Sequence, residues 1–151
     1  MRDYTFINGA RFSISNIFRS IRFDIDRLDM NWIDGEKPDF VSYKFYNNPG
    51  YDWVILLTNN IHSIYDDWPK SSETFEQYII EKYGSTTAAM STVKYYYDAY
   101  DNIIDVQEYT SLSAANRRSE TVYEWELELN IEKSKIKMIK KSLISGIETG
   151  L

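Results

Sequence analysis

The chain has no cysteine. Disulfides and thiolate metal sites are excluded with it, and so is the small secreted domain held together by cross-links. Histidine occurs once, as His62. One imidazole without thiols falls short of the three or four ligands that zinc takes. No Gly-x-Ser-x-Gly elbow offers that histidine a nucleophile. The six glycines form no phosphate-cradling loop, and Asp24, Asp26 and Asp29 lack the glycine on which a calcium loop turns. We therefore expect no cofactor and no metal. No apolar run approaches the roughly 20 residues that span a bilayer, and Met1-Arg2-Asp3-Tyr4 leads into no apolar h-region of a signal peptide. The expectation is synthesis in a cytoplasm, with no membrane partner. Positive charge is also scarce: 17 Lys and Arg stand against 23 Asp and Glu, for a net charge of −6. Phosphate binding wants clustered cations, so nucleic acid is not the expected partner. The lysines between Lys133 and Lys141 are interrupted by Ile136, Met138 and Ile139 and read as a solvated face.

What the chain does have is aromatic surface. Aromatic residues make up 16% of it, led by 13 tyrosines, within a hydrophobic fraction of 43%. That is enough apolar matter for a core of ordinary size in one domain, or in one small module with extensions. Tyrosine combines apolar area with a hydrogen-bonding tip, which serves both the edge of a small core and a protein interface.

The stretch from Asp34 to Gly84 organises the rest. Pro38 fits the first position of a helix, where its missing amide costs nothing, and Asp39 suits the positive end of the helix dipole. Phe40, Val41 and Phe45 are the expected apolar face. Asn47-Asn48-Pro49-Gly50 stops this helix, and Asn48 with Pro49 starts a second. Trp53, Val54, Ile55, Leu56 and Leu57 leave that helix little polar face, so burial nearly all round is expected, with Trp53, Leu56 and Leu57 as core. Asn59-Asn60 ends it. Tyr65-Asp66-Asp67-Trp68-Pro69 reads as a turn-rich link. Ser71 or Ser72 then caps a third helix with Phe75, Tyr78, Ile79 and Tyr83 on one face, and Gly84 stops it.

Outside this stretch the signals are weaker. Residues 1–16 read as an arm or irregular strand, 19–25 as an extended segment, and Leu28 to Ile33 as a strand. Ser85 to Ser91 reads as a linker. Val93 to Tyr97 and Ile103 to Tyr109 read as a β-hairpin turning at Asp101-Asn102, with one face largely tyrosine. Two strands alone are marginal in water, so the hairpin has to dock on the module or on another protein. Ser111 to Ser119 reads as a polar loop. Residues 121–133 alternate like a strand but are rich in helix formers, and helix is the reading taken, with Val122, Trp125 and Leu129 on one face. Lys135 to Ile139 suggests a strand, and Ser142 the cap of a last short helix.

Tyr46-Asn47-Asn48-Pro49, Trp53-Val54-Ile55 and Asn59-Asn60, after a short strand before Gly35, resemble a LysM module, a small fold that often recognises N-acetylglucosamine polymers. The continuation through Tyr65-Asp66-Asp67-Trp68-Pro69 and Tyr78-Ile79 to Lys82-Tyr83-Gly84 is similar to the LysM-like baseplate wedge subunit of contractile-tailed, T-even-like bacteriophages. Ile17-Phe18-Arg19 upstream and Asn130, Glu132, Lys133, Ile136, Lys137 and Ile139 downstream agree with it, while Ser85 to Ser119 matches little. The resemblance implies an α+β fold: an N-terminal arm (1–27), a LysM-like helical module (28–84), and a Tyr-rich hairpin with a C-terminal helix/strand extension (85–151). It implies a non-enzymatic structural subunit of the virion, present in multiple copies in a symmetric assembly built in the host cytoplasm. Its partners would be other wedge proteins and a sheath-initiator-like subunit. Ile17, Phe18, Arg19, Trp68, Tyr95, Tyr97 and Ile136 are the candidate contact residues.

Two rival readings stand beside this one. A carbohydrate-binding LysM module would place its groove between Gly35–Asp39 and Asn59–His62. A small glycosidase would use Asp66 or Asp67 as one of a carboxylate pair, although adjacent acids in a turn are ordinarily turn formers.

Overall fold

A computed structural model of the protein describes residues 3–5, 11–13 and 34–148. The chain divides into two compact units, Met1–Trp68 with Lys135–Leu151, and Pro69–Ser134. The segmentation expected from sequence has its boundaries after residues 27 and 84. The expected strand at 28–33 and extended segment at 19–25 lie outside the described residues.

In the first unit, β1 (Asp3–Thr5) and β2 (Arg11–Ser13) pair antiparallel, with Tyr4 opposite Phe12. Helix α1 (Pro38–Tyr46) begins on its proline and ends at Asn47, whose backbone takes the left-handed conformation at φ 58° while its N–H bonds to the Tyr43 carbonyl. The buried face of α1 is Val41, Ser42 and Tyr46, with Phe45 packed against its edge. Phe40, expected inside, is 53% exposed. Asn48 caps a short 3₁₀ turn (Pro49–Tyr51) by accepting the Gly50 N–H, and α2 (Asp52–Thr58) follows. Only Val54 and Ile55 of its apolar run are fully buried; Trp53 and Leu56 flank the core half-buried, and Leu57 is half-buried. A helix of seven residues lying on one core has a single inner face, however apolar its sequence.

No strand forms between Ile61 and Trp68. Ser63 accepts the Asp66 N–H and starts a one-turn helix, α3 (Ile64–Asp67). The Asp67 carboxylate takes the His62 and Ser63 N–H groups at 3.0 Å each. Side chains thus satisfy the donors that a strand ladder would need. A LysM module carries its second strand after the second helix, and over residues 61–68 the adjacent acids Asp66-Asp67 argue for one that is short or absent; none forms.

The stretch after Lys135 is not a strand either, yet it enters the core. Ile136, Met138 and Ile139 are buried with Val41, Tyr46, Val54, Ile55, Trp68 and Ile144. Side chains substitute for a ladder. Asn59 donates to the Lys137 carbonyl and accepts its N–H, both at 2.8 Å. The Tyr46 hydroxyl donates to the Ile139 carbonyl at 2.9 Å and accepts its N–H at 3.0 Å. Burial raises the Tyr46 pKa to about 12, although the hydrogen bond to the Ile139 backbone works the other way. Tyr46→Phe leaves that buried N–H and carbonyl without partners. It is expected to lower stability by about 2 kcal/mol and to speed hydrogen exchange at the Ile139 amide. An unchanged urea midpoint would show that this clamp is dispensable. Helix α8 (Lys141–Glu148) closes the unit, starting one residue before the expected Ser142 cap.

In the second unit, Ser71 caps α4 (Ser72–Tyr83) by accepting the Thr74 N–H, and Gly84 ends it at φ 85°, a conformation that favours glycine. Phe75 and Ile79 are buried, with Tyr78 and Tyr83 alongside, as the spacing predicts. The expected linker is instead a helix, α5 (Thr86–Ser91), capped by Ser85 and burying Ala89. Alanine is the best helix former, and a serine cap suffices to start it. Strand β3 (Val93–Asp98) is central in a three-stranded antiparallel sheet of order β4-β3-β5. β4 is only Ile103–Ile104, because Asp105 caps α6 (Val106–Ser111) where the second hairpin strand was expected to continue. β5 (Arg117–Thr121) emerges from the expected polar loop. Thr121 and Glu124 then form a reciprocal capping box that starts α7 (Val122–Ser134). That box settles the ambiguity of 121–133 in favour of helix. The inner positions of α7 are Val122 and Glu126; Leu129 is exposed.

Candidate interaction surface

The sequence candidates separate by burial. Ile17, Phe18 and Arg19 lie outside the described residues. Trp68 is 5% exposed and Ile136 3%, both inside the first unit's own core. The Trp68 indole N–H donates to the Glu36 carbonyl at 2.8 Å. These two side chains hold the fold together and offer a partner no surface. Tyr95 and Tyr97 are half-buried side chains on β3.

On β3 the two tyrosines fall on one face with their β5 partners, because Tyr95 stands opposite Glu120 and Tyr97 opposite Arg118. Their rings meet edge to face, 6.2 Å between centroids. The Arg118 guanidinium lies 3.8 Å over the Tyr97 ring, and its Nε donates to Asp101 at 2.9 Å. The Tyr97 hydroxyl donates to the buried Glu120 at 2.7 Å. That carboxylate, foremost, raises the tyrosine's pKa. The pairing slips between Val93 and Tyr95, so that Lys94 is an extra residue on β3. Lys94 sits 5.4 Å from the Tyr95 ring and 4.4 Å from the Trp125 ring. Trp125, Lys94, Tyr95, Tyr97 and Arg118 thus form one strip of aromatic and cationic groups. Tyr96 faces the other way, 4.5 Å from the Tyr109 ring of α6, which Arg117 covers at 4.6 Å.

Lys94, Arg118 and Trp125 were not among the sequence candidates. The tyrosine alternation pointed to the face, but a bulge and a pairing across some twenty residues leave no local mark in sequence.

The other groups considered from sequence are engaged locally. Asp66 accepts the Ser63 hydroxyl at 2.8 Å, and Asp67 holds two backbone amides. In the expected sugar groove, the Asn59 amide is bonded to Lys137 and the buried Glu36 is paired with Lys44 at 2.7 Å. A cavity of ≈ 200 Å³ is lined by Asp98, Ala99, Tyr100, Glu108, Leu112 and Asn116. The Asp98 carboxylate there accepts from the Asn102 side chain and from the Asn102 and Tyr100 amides, which lowers its pKa. No set of three metal-ligating side chains occurs among the described residues, and none of their helices is long and apolar enough to cross a membrane.

Residues 8–117 match the family model described as Base plate wedge protein 53. No curated protein matches the chain.

Proposed function

The chain belongs to the family of base plate wedge protein 53, and from that premise we propose that it links neighbouring wedge proteins in the inner baseplate of a contractile phage tail. The family is one of structural baseplate proteins, which associate with other baseplate components in the virion tail. In the finer reading the chain sits near the tail hub, in several symmetric copies assembled in the host cytoplasm, and touches a sheath-initiator-like subunit. Its mechanism is binding without turnover. The observation that carries this reading beyond the family is the strip on β3 and β5. Rigid tyrosine, tryptophan and arginine side chains held at a surface are the residue types that dominate protein interfaces. Here hydrogen bonds and ring contacts restrict them beforehand, which reduces the ordering cost of binding.

The test is sedimentation of the purified chain, alone and mixed with the wedge proteins and sheath-initiating subunit of its source phage. We expect a slow species alone and a large defined complex in the mixture. A chain that ignores those proteins and pellets with purified peptidoglycan would replace this reading with the carbohydrate-binding one. The bonded state of Asn59 and Glu36, and the missing second strand, weigh against that rival.

A further inference from the structure

The bulge on β3 puts a cation where an ordinary pleat would not. Successive strand residues point to opposite faces, so Lys94 would face away from Tyr95 in a regular strand. Two β3 steps, Val93 to Tyr95, oppose one β5 step, Thr121 to Glu120. The extra residue of a bulge is left outside the pairing and its side chain is re-aimed. Lys94 consequently lies over both Tyr95 and Trp125. It is exposed, and it has no carboxylate partner among the described residues. The acids on neighbouring positions are engaged: Glu120 by the Tyr97 hydroxyl, Glu124 by the Thr121 N–H and hydroxyl, Asp101 by Arg118.

Lys94 is thus a cation without an ion pair on a face whose other charges are paired or hydrogen-bonded. The two rings attract the ammonium by their quadrupoles and hold it in place. Ring contact leaves part of its charge and its donors for an acceptor from outside. Arg118, stacked on Tyr97 at the other end of the strip, is already ion-paired with Asp101.

We propose that this strip binds an acidic segment of a neighbouring baseplate protein, with a partner carboxylate on Lys94 and apolar or aromatic partner groups against Tyr95, Tyr97 and Trp125. The proposal rests on the wedge-protein reading for the identity of the neighbour. Charge complementarity selects the occupant. A basic partner meets Lys94 with repulsion.

Two experiments on the full chain decide it. In an NMR titration with a synthetic peptide of four glutamates around one tyrosine, shifts are expected at Lys94, Tyr95, Tyr97, Arg118 and the Trp125 indole. Lys94→Glu should weaken binding about tenfold, Lys94→Arg should retain it, and added salt should weaken it. No shifts at all, shifts centred on the lysines of 133–141, or equal binding by Lys94→Glu would each overturn the proposal. In co-sedimentation with the wedge proteins, Lys94→Glu should enter the complex less than the wild type while keeping the wild-type circular dichroism spectrum. If the wild type enters no complex, it is the wedge reading that fails. If wild type and Lys94→Glu enter equally, the wedge reading stands and the acidic-segment proposal falls.

Discussion

Ile55→Ala is expected to destabilise the first unit by about 3–4 kcal/mol, and Leu57→Ala, two residues on, by about 1 kcal/mol. Both are large apolar residues in the same run of α2. Ile55 is fully buried among Val41, Tyr46, Val54, Trp68, Ile136, Met138, Ile139 and Ile144, whereas Leu57 is only half-buried. Truncating Ile55 removes buried methylenes and leaves a void walled by side chains from three separate stretches, which cannot all move in to fill it. Truncating Leu57 removes surface that water already partly reaches. The two variants are compared by urea unfolding followed by circular dichroism. Ile55→Ala should also raise hydrogen exchange at Met138 and Ile139, since that segment has no strand ladder to hold it. Equal losses from the two substitutions would mean that α2 is buried all round after all.

Glu126→Ala is the second large effect, expected at about 2–3 kcal/mol in the unit Pro69–Ser134. Glu126 is buried, and its carboxylate accepts from Lys82 Nζ at 2.6 Å, the Tyr83 hydroxyl at 2.7 Å and the Tyr78 hydroxyl at 3.1 Å. Removing it leaves the Tyr83 hydroxyl without its acceptor and strips the carboxylate from Tyr78 and Lys82, which keep only the bond from Lys82 Nζ to the Tyr78 hydroxyl at 2.7 Å. Lys82 is half-exposed and regains water, which keeps the loss below that of a fully buried ion pair. Glu126→Gln should cost less, because it keeps an acceptor oxygen.

The same site makes stability depend on pH. Burial alone would raise the Glu126 pKa, but the bonds from Lys82, Tyr83 and Tyr78 outweigh it and the pKa is lowered. A lowered carboxylate contributes stability that is present above its unfolded pKa, near 4.3, and is lost as pH falls through the lower folded value. The Lys82 pKa is raised, chiefly by its hydrogen bond to Glu126. That contribution is present below the unfolded lysine value, near 10.4, and is lost at higher pH. The wild type should therefore be most stable across the neutral range and weaken toward acid. Glu126→Gln should lose part of the acid-side slope. If wild type and Glu126→Gln had parallel stability curves from neutral pH into acid, the network would carry no linked proton.

The punctuation of the helices and the family are legible in the chain without its fold. Pro38, Asn47, Asn48-Pro49, Ser71 and Gly84 start or stop helices where their chemistry says they should. The resemblance carried by the motifs around Tyr46 to Pro49 and Tyr65 to Pro69 agrees with the family match. Such signals are legible because a cap is a hydrogen bond between residues about three apart, complete within one window of sequence. The capping box at Thr121 and Glu124 was equally local, and reading it would have settled α7 without the alternation that argued for a strand.

Which apolar residues are core, and which cations lack an ion pair, depends on contacts made only on folding. Trp68 and Ile136 looked like contact residues and are interior, while Phe40 looked interior and is exposed. Val54 and Ile55 are chosen from a run in which every residue is apolar. These outcomes depend on partners far along the chain: Tyr46 and Ile139 are 93 residues apart, and Lys82 and Glu126 are 44. The bulge that turns Lys94 onto Tyr95 and Trp125 exists only because β5 pairs with β3 out of step. Burial and register belong to the pair of surfaces that meet, and no short window of sequence contains both.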